Sequence, residues 1–181
     1  MSTDRRPYDN CYWVRPGKFL AGEYPGSSDR WVAREKIYSQ LDAGIDAFLD
    51  LTEPGELDSY EDILMEAAEN AGVPVTYQRY PIQDVSVPRE RKDMIAILDR
   101  IDHCLDIGQT VYVHCWGGVG RTGTVVGCYL VRHGLSGEEA LERLRELWST
   151  VSPDKLARRP ISPETGPQGD WVRSWGATGE S

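Results

Sequence analysis

Two side chains with reactive chemistry lie six residues apart in the stretch V-Y-V-H-C-W-G-G-V-G-R-T-G-T-V-V-G, Val111 to Gly127. Cys115 supplies sulfur, which as a thiolate is a strong nucleophile. Arg121 supplies a planar fork of N–H donors that holds two oxygens of a tetrahedral oxyanion, a geometry lysine lacks. Phosphate fits that description best, so the pair points to thiolate attack on a phosphate ester.

The flanking residues say what must position this pair. Thr110 to Val113 is an apolar, β-branched run and predicts a buried strand; Thr122 to Val131 predicts a buried helix. A strand, a glycine-rich loop and a helix start form an anion cradle, because loop N–H groups and the free first-turn donors of the helix converge on one point. Gly117, Gly118 and Gly120 allow that convergence, since glycine reaches positive φ and admits a ligand close to the backbone. The expected phosphate-binding set is therefore Trp116, Gly117, Gly118, Val119, Gly120 and Arg121. At the mouth of the cradle Cys115 is expected to react as its thiolate, the anion that the donors and helix dipole favour. Thr122 is expected to donate its hydroxyl to that sulfur. A bland alternative, a core cysteine at a strand end followed by turn glycines, explains the pair but not the joint spacing of His114, Cys115, Gly118, Arg121, Thr122 and Gly123.

The run H-C-W-G-G-V-G-R-T-G resembles the signature loop of the cysteine-dependent protein tyrosine and dual-specificity phosphatases. The resemblance implies a three-layer α/β domain with a largely parallel central sheet, a cysteinyl-phosphate intermediate, and neither metal nor other cofactor. It also implies a general acid on a loop upstream of the signature, a role that falls to Asp84 in Y-P-I-Q-D-V-S-V-P. From residue type alone Asp84 would equally be a turn-former; Asp93 is the poorer acid, belonging to the first turns of a helix where carboxylates are stabilising anyway. His114 reads as a structural support facing away from Cys115, and His103 and His133 as surface or capping residues.

No separate phosphotyrosine-gripping loop is visible, which favours a compact, dual-specificity-like member acting on phosphotyrosine, phosphoserine or phosphothreonine in proteins. Trp116 stands where phosphoinositide-directed relatives carry lysine, and Val119 replaces a second charge, which disfavours inositol polyphosphates. RNA 5′-triphosphate and a non-catalytic phosphate-recognition module are the remaining alternatives. Near the carboxy terminus, S-P-E-T-G-P-Q resembles the water-positioning loop of tyrosine-specific members only at Gln168, Glu164 standing where a glutamine is usual.

With 181 residues, 40% of them apolar, the chain is expected to form one domain over residues 1–181, with loose ends at 1–10 and 176–181. Twenty basic against twenty-nine acidic residues give a net charge of −9, which repels nucleic acid and anionic membranes, so any attraction for phosphate must be local. The partner is a phosphorylated protein or small phosphate ester; oligomeric state is not legible. The start lacks the hydrophobic core of a secretion signal, and Cys11, Cys104, Cys115 and Cys128 show no metal spacing, which together predict a cytoplasmic protein with free thiols. Cys104 and Cys128 read as packing residues.

Strands and helices alternate along the chain. A hairpin is expected over Tyr12 to Glu23 around Pro16-Gly17, a helix from Ser27 or Ser28 to about Ala43, and a strand over Ile45 to Leu51. A helix over Asp58 to Ala71, a strand over Val73 to Pro81 and a long amphipathic helix over Pro88 to Gly108 follow. After the signature helix, Ser136 and Glu139 form a capping box, and a last helix starts at Ser162-Pro163-Glu164.

Overall fold

The strand that leads into the Cys115 loop is the middle of a five-stranded sheet. In the computed structural model, which describes residues 5–178, β1 (Cys11–Arg15) and β2 (Phe19–Gly22) form the expected hairpin. Its turn is closed by the Lys18 N–H donating to the Arg15 carbonyl at 3.0 Å, with Gly17 at φ 65°. The remaining strands are β3 (Ala47–Asp50), β4 (Thr76–Arg79) and β5 (Val111–His114), in the spatial order β1-β2-β5-β3-β4. All pairs but the hairpin are parallel.

Register sets which loops leave the sheet together. His114 at the end of β5 pairs with Gly22 of β2 on one side and Asp50 of β3 on the other. The loops after all three strands therefore leave the sheet side by side, at the carboxyl edge where open α/β sheets bind ligands.

Both faces of the sheet are covered, which gives the three-layer architecture expected. Alternation sends Val111 and Val113 to one face and Tyr112 to the other. On the first face lie α3 (Arg91–Asp106), α4 (Gly120–Arg132), α5 (Gly137–Trp148) and α7 (Gly166–Ser174); on the second lie α1 (Arg30–Asp42) and α2 (Glu61–Ala71). Buried Met94, Ile97, Leu98 and Ile101 give α3 its inner stripe, and Ala140, Leu141, Leu144 and Trp148 do so for α5. The capping box of Ser136 and Glu139 is formed as expected, and Asp93 closes another with Glu90.

Several expected boundaries move. Asp29, not Ser27 or Ser28, caps α1, its carboxylate accepting from the Trp31 N–H at 2.9 Å; the Ser27 hydroxyl accepts instead from the Asp29 N–H. The last helix starts at Gly166 under a Thr165–Gln168 capping box rather than at Ser162, because Ser162 is engaged elsewhere. A short helix α6 (Pro153–Arg158), capped by Ser152, was not expected; with six residues it is too short to show a periodic apolar face. Residues 1–4 and 179–181, the outer parts of the expected loose ends, lie outside the described residues. Inside them, Arg6 donates to the Thr150 and Cys11 carbonyls, Tyr8 packs edge-on to Tyr112, and Trp175–Thr178 form a 3-10 turn. The described part of the expected loose start is thus packed, because Tyr8 buries its ring against the α1 side of the sheet.

Among the described residues no helix is long and apolar enough to cross a membrane.

Candidate active site

Cys115 directly follows β5 and is 3% exposed. The loop from Trp116 to Val119 then turns into α4, and Gly118 makes the turn possible. It sits at φ 72°, and a Cβ there would come within 2.5 Å of the Gly22 backbone, so no other residue fits. Among the described residues, no N–H from Trp116 to Val119 donates to a backbone or side-chain acceptor, and the first turn of α4 adds further free donors. The Tyr24 N–H donates to the Trp116 carbonyl at 3.0 Å, and the Ser162 hydroxyl donates to the Val119 carbonyl at 2.7 Å, so the loop is fastened through its carbonyls while its N–H groups stay available.

Arg121, 1% exposed in the first turn of α4, has its donors accounted for one by one. Nη1 donates to Glu56 Oε2 at 2.8 Å and to the Ile82 carbonyl at 3.0 Å; Nη2 donates to Glu56 Oε1 at 2.6 Å and faces Asp84 Oδ1 at 2.9 Å. A guanidinium carries five N–H donors, and the fifth, on buried Nε, has no partner. Burial opposes the charge, but the hydrogen bonds that Arg121 donates to Glu56 and the neighbouring carboxylates of Glu56 and Asp84 outweigh it, so Arg121 is held more firmly cationic than an ordinary arginine. Reciprocally, Arg121 holds the Glu56 carboxyl below the usual glutamate range. That contribution to stability is present above the ordinary glutamate pKa and is lost as pH falls through the lowered folded value.

Glu56 was missed as a site residue. The loop L-T-E-P-G-E-L after β3 suggested only a crevice position or ordinary loop chemistry, and nothing local marks its second glutamate as a partner of Arg121, 65 residues away. The loop itself is built to present it: the Thr52 N–H and hydroxyl bond to buried Asp50 at 2.8 and 2.7 Å, and the Glu53 N–H bonds to Glu56 Oε2 at 2.9 Å.

Asp84 is half exposed and leans on Arg121 from the opposite loop. The next residue, Val85, sits at φ 58°, a left-handed conformation that is an outlier for a β-branched side chain. Beyond it, Gln168 fastens the loop: its wholly buried amide donates to the Ser86 carbonyl at 2.9 Å and accepts from the Thr165 N–H at 3.1 Å. The same amide packs on Gly120, where a Cβ would come within 2.8 Å of it. Gln168 therefore lies between the Asp84 loop and the signature loop. Its loss in Gln168→Ala removes one buried hydrogen bond from the Asp84 loop and is expected to lower kcat by roughly 3- to 10-fold, measured by steady-state kinetics on an aryl phosphate.

Thr122 is corrected in one respect. Its hydroxyl, in the first turn of α4, is buried with no hydrogen-bond partner, so the expected bond to the Cys115 sulfur is not formed. His114 turns away from the thiol, as strand alternation requires. Burial pushes its pKa below the ordinary histidine value, so the ring is neutral. Nδ1 lies 3.1 Å from the Cys115 carbonyl, which only accepts, and Nε2 lies 2.7 Å from the Tyr60 hydroxyl. The proton is thus on Nδ1, Tyr60 donates to Nε2, and both ring nitrogens are engaged. Glu164 pairs with Arg159 at 3.3 Å, and His133 Nε2 lies 2.9 Å from Asp102 on the surface.

The family described as "Polymorphic toxin system, DSP-PTPase phosphatase" matches residues 26–135, from the end of the hairpin through the signature helix. The chain belongs to this family. It is thereby a member of the cysteine-dependent tyrosine and dual-specificity phosphatase superfamily, in keeping with the signature loop. A curated relative from Arabidopsis thaliana, "Phosphatidylinositol 3,4,5-trisphosphate 3-phosphatase and protein-tyrosine-phosphatase PTEN1", is 32% identical over 69% of this chain and 29% of its own length. Another, putative tyrosine phosphatase 067L of Invertebrate iridescent virus 3, is 30% identical over 62% of this chain. The chain spans less than half the length of these curated relatives. Among solved structures, Tk-PTP in its active form superposes with a TM-score of 0.69 at 25% identity, covering 93% of this chain and 97% of that one.

Proposed function

We propose that this protein hydrolyses phosphate monoesters through a cysteinyl-phosphate intermediate, with the residues 115–121 as its C-x5-R signature loop. The observation that carries the reading is the set of unpaired donors that follow β5, the loop N–H groups and Arg121 Nε, in the same segment as a nearly buried thiol. Buried donors without partners are costly, and a tetrahedral oxyanion would satisfy all of them together.

The arrangement supports the following cycle. The incoming phosphoryl group takes Arg121 Nε–H and, by displacing Asp84, the adjacent Nη2–H, while Glu56 keeps the far end of the guanidinium fixed. Cys115 sulfur attacks phosphorus; the P–O bond to the leaving group breaks, and Asp84, which takes up a proton from solvent once phosphate has displaced it from Arg121, passes that proton to the leaving oxygen. Water, deprotonated by the same carboxylate, then attacks phosphorus, and the S–P bond breaks to release inorganic phosphate and restore the thiolate.

The substrate is a phosphorylated protein side chain or a small phosphate ester, and the described residues work as one catalytic domain. A nucleophile that must remain a free thiol suits a reducing compartment such as the cytoplasm; all four cysteines are unpaired. Turnover of p-nitrophenyl phosphate in the presence of EDTA tests the enzyme reading. Tight phosphopeptide binding without turnover would support the recognition module instead.

Asp84→Asn is expected to slow that turnover by about 10²-fold. A general acid must hold its proton to act, so the fall in rate on the basic side of the pH profile should flatten in the variant. An unaltered profile would move the acid to another residue.

A further inference from the structure

Beside the cradle, a cleft of about 850 Å³ opens between the loop after β2 and α6, lined by no residue of the Asp84 loop. Trp116, Gly117 and Val119 of the signature loop form its inner wall. Its charge is unlike that of the chain as a whole: Lys36, Lys155, Arg158 and Arg159 line it against two carboxylates, Glu23 and Asp58, in a protein of net charge −9.

Lys155 reaches the catalytic loop itself. Its Nζ lies 4.0 Å from where a Cβ on Gly117 would stand. The ammonium is fixed there by Glu23 at 3.0 Å, and Glu23 also holds Lys36 of α1 at 3.3 Å. One carboxylate shared between two ammonium groups leaves a positive charge uncompensated, and both lysines are largely withdrawn from solvent, where that charge acts most strongly. Arg158 stands against the remaining carboxylate, Asp58, and Arg159 is already paired with Glu164, so the cleft keeps one net positive charge.

We infer that this cleft is a second anion subsite and that the substrate is a small molecule carrying a second phosphate close to the scissile one. The inference rests on the reading of Cys115 and Arg121 as the hydrolytic site and names what that site selects. Trp116, 60% exposed, offers a flat apolar face to the carbon framework between the two phosphates, and the volume matches a compact ligand. The absence of lysine at position 116 had weighed against polyanionic substrates. Lys155 restores the missing charge from α6, an element beyond the residues 26–135 matched by the family.

The test compares kcat/KM for an inositol bisphosphate with vicinal phosphates, the corresponding monophosphate, and p-nitrophenyl phosphate, in wild type, Lys155→Met and Lys155→Arg. The wild type should prefer the bisphosphate by about 10-fold or more, the effect of one added charge-assisted contact. Lys155→Met should erase most of that preference and Lys155→Arg should keep it. Equal values for bisphosphate and monophosphate in the wild type, or a preference that survives Lys155→Met, would overturn the subsite. Stronger turnover of the same headgroup in vesicles, or of a doubly phosphorylated peptide, would overturn the small-molecule assignment. If no substrate turns over, the hydrolytic reading fails by itself. Calorimetric binding of the bisphosphate and monophosphate to the wild type and Lys155→Met proteins then still decides the subsite by the same ratio.

Discussion

Cys115→Ser is expected to lower turnover by roughly 10⁴-fold or more, the scale of losing an essential nucleophile, while inorganic phosphate still binds. The two halves of this expectation have separate causes. A serine hydroxyl needs a base to become a nucleophile, and the nearest imidazole cannot serve, since His114 faces away with both ring nitrogens engaged by Tyr60 and the Cys115 carbonyl. Binding survives because none of the proposed donors belongs to residue 115: they are the loop N–H groups and the Nε–H and Nη2–H of Arg121. Stopped-flow kinetics on p-nitrophenyl phosphate and calorimetry with inorganic phosphate measure the two halves. Activity near wild type would remove Cys115 from the nucleophile role.

Arg121→Lys should behave in the opposite way, losing affinity as well as rate. Lysine keeps the charge but offers a single nitrogen where arginine uses three, so it cannot face Glu56, the Ile82 carbonyl and two phosphate oxygens at once. Loss of transition-state donors of this kind costs on the order of 10² to 10³ in kcat, with a further loss in KM because the ground-state phosphate uses the same atoms. The variant should also melt earlier, since Glu56 and the Ile82 carbonyl are left without their partner. Thermal unfolding and steady-state kinetics together check it; a variant with normal KM would show that phosphate does not use the guanidinium.

What was legible in the sequence and what was not divides along one physical line. The signature loop, the Pro16-Gly17 turn, the Ser136–Glu139 box and the inner stripe of α3 are produced by neighbours in the chain, and their residue types announce them. Glu56 on Arg121, Ser162 on the Val119 carbonyl and Gln168 on the Ser86 carbonyl join residues 65, 43 and 82 positions apart, and glutamate, serine and glutamine in loops have ordinary local uses. Ser162 illustrates the cost: Ser-Pro-Glu reads as a helix start, yet its hydroxyl is spent on the signature loop and Thr165 caps the helix instead. Lys155 was hidden for the same reason, on a helix too short to show a pattern, and it alters the charge inferred for the loop when Trp116 was considered by itself.

The most direct test is to quench the enzyme in acid during turnover of a ³²P-labelled aryl phosphate and map the label. The account predicts covalent phosphate on the peptide containing Cys115, accumulating when Asp84→Asn slows its hydrolysis and absent from Cys115→Ser. Turnover with no covalent phosphate, or with the label on any other residue, would contradict it.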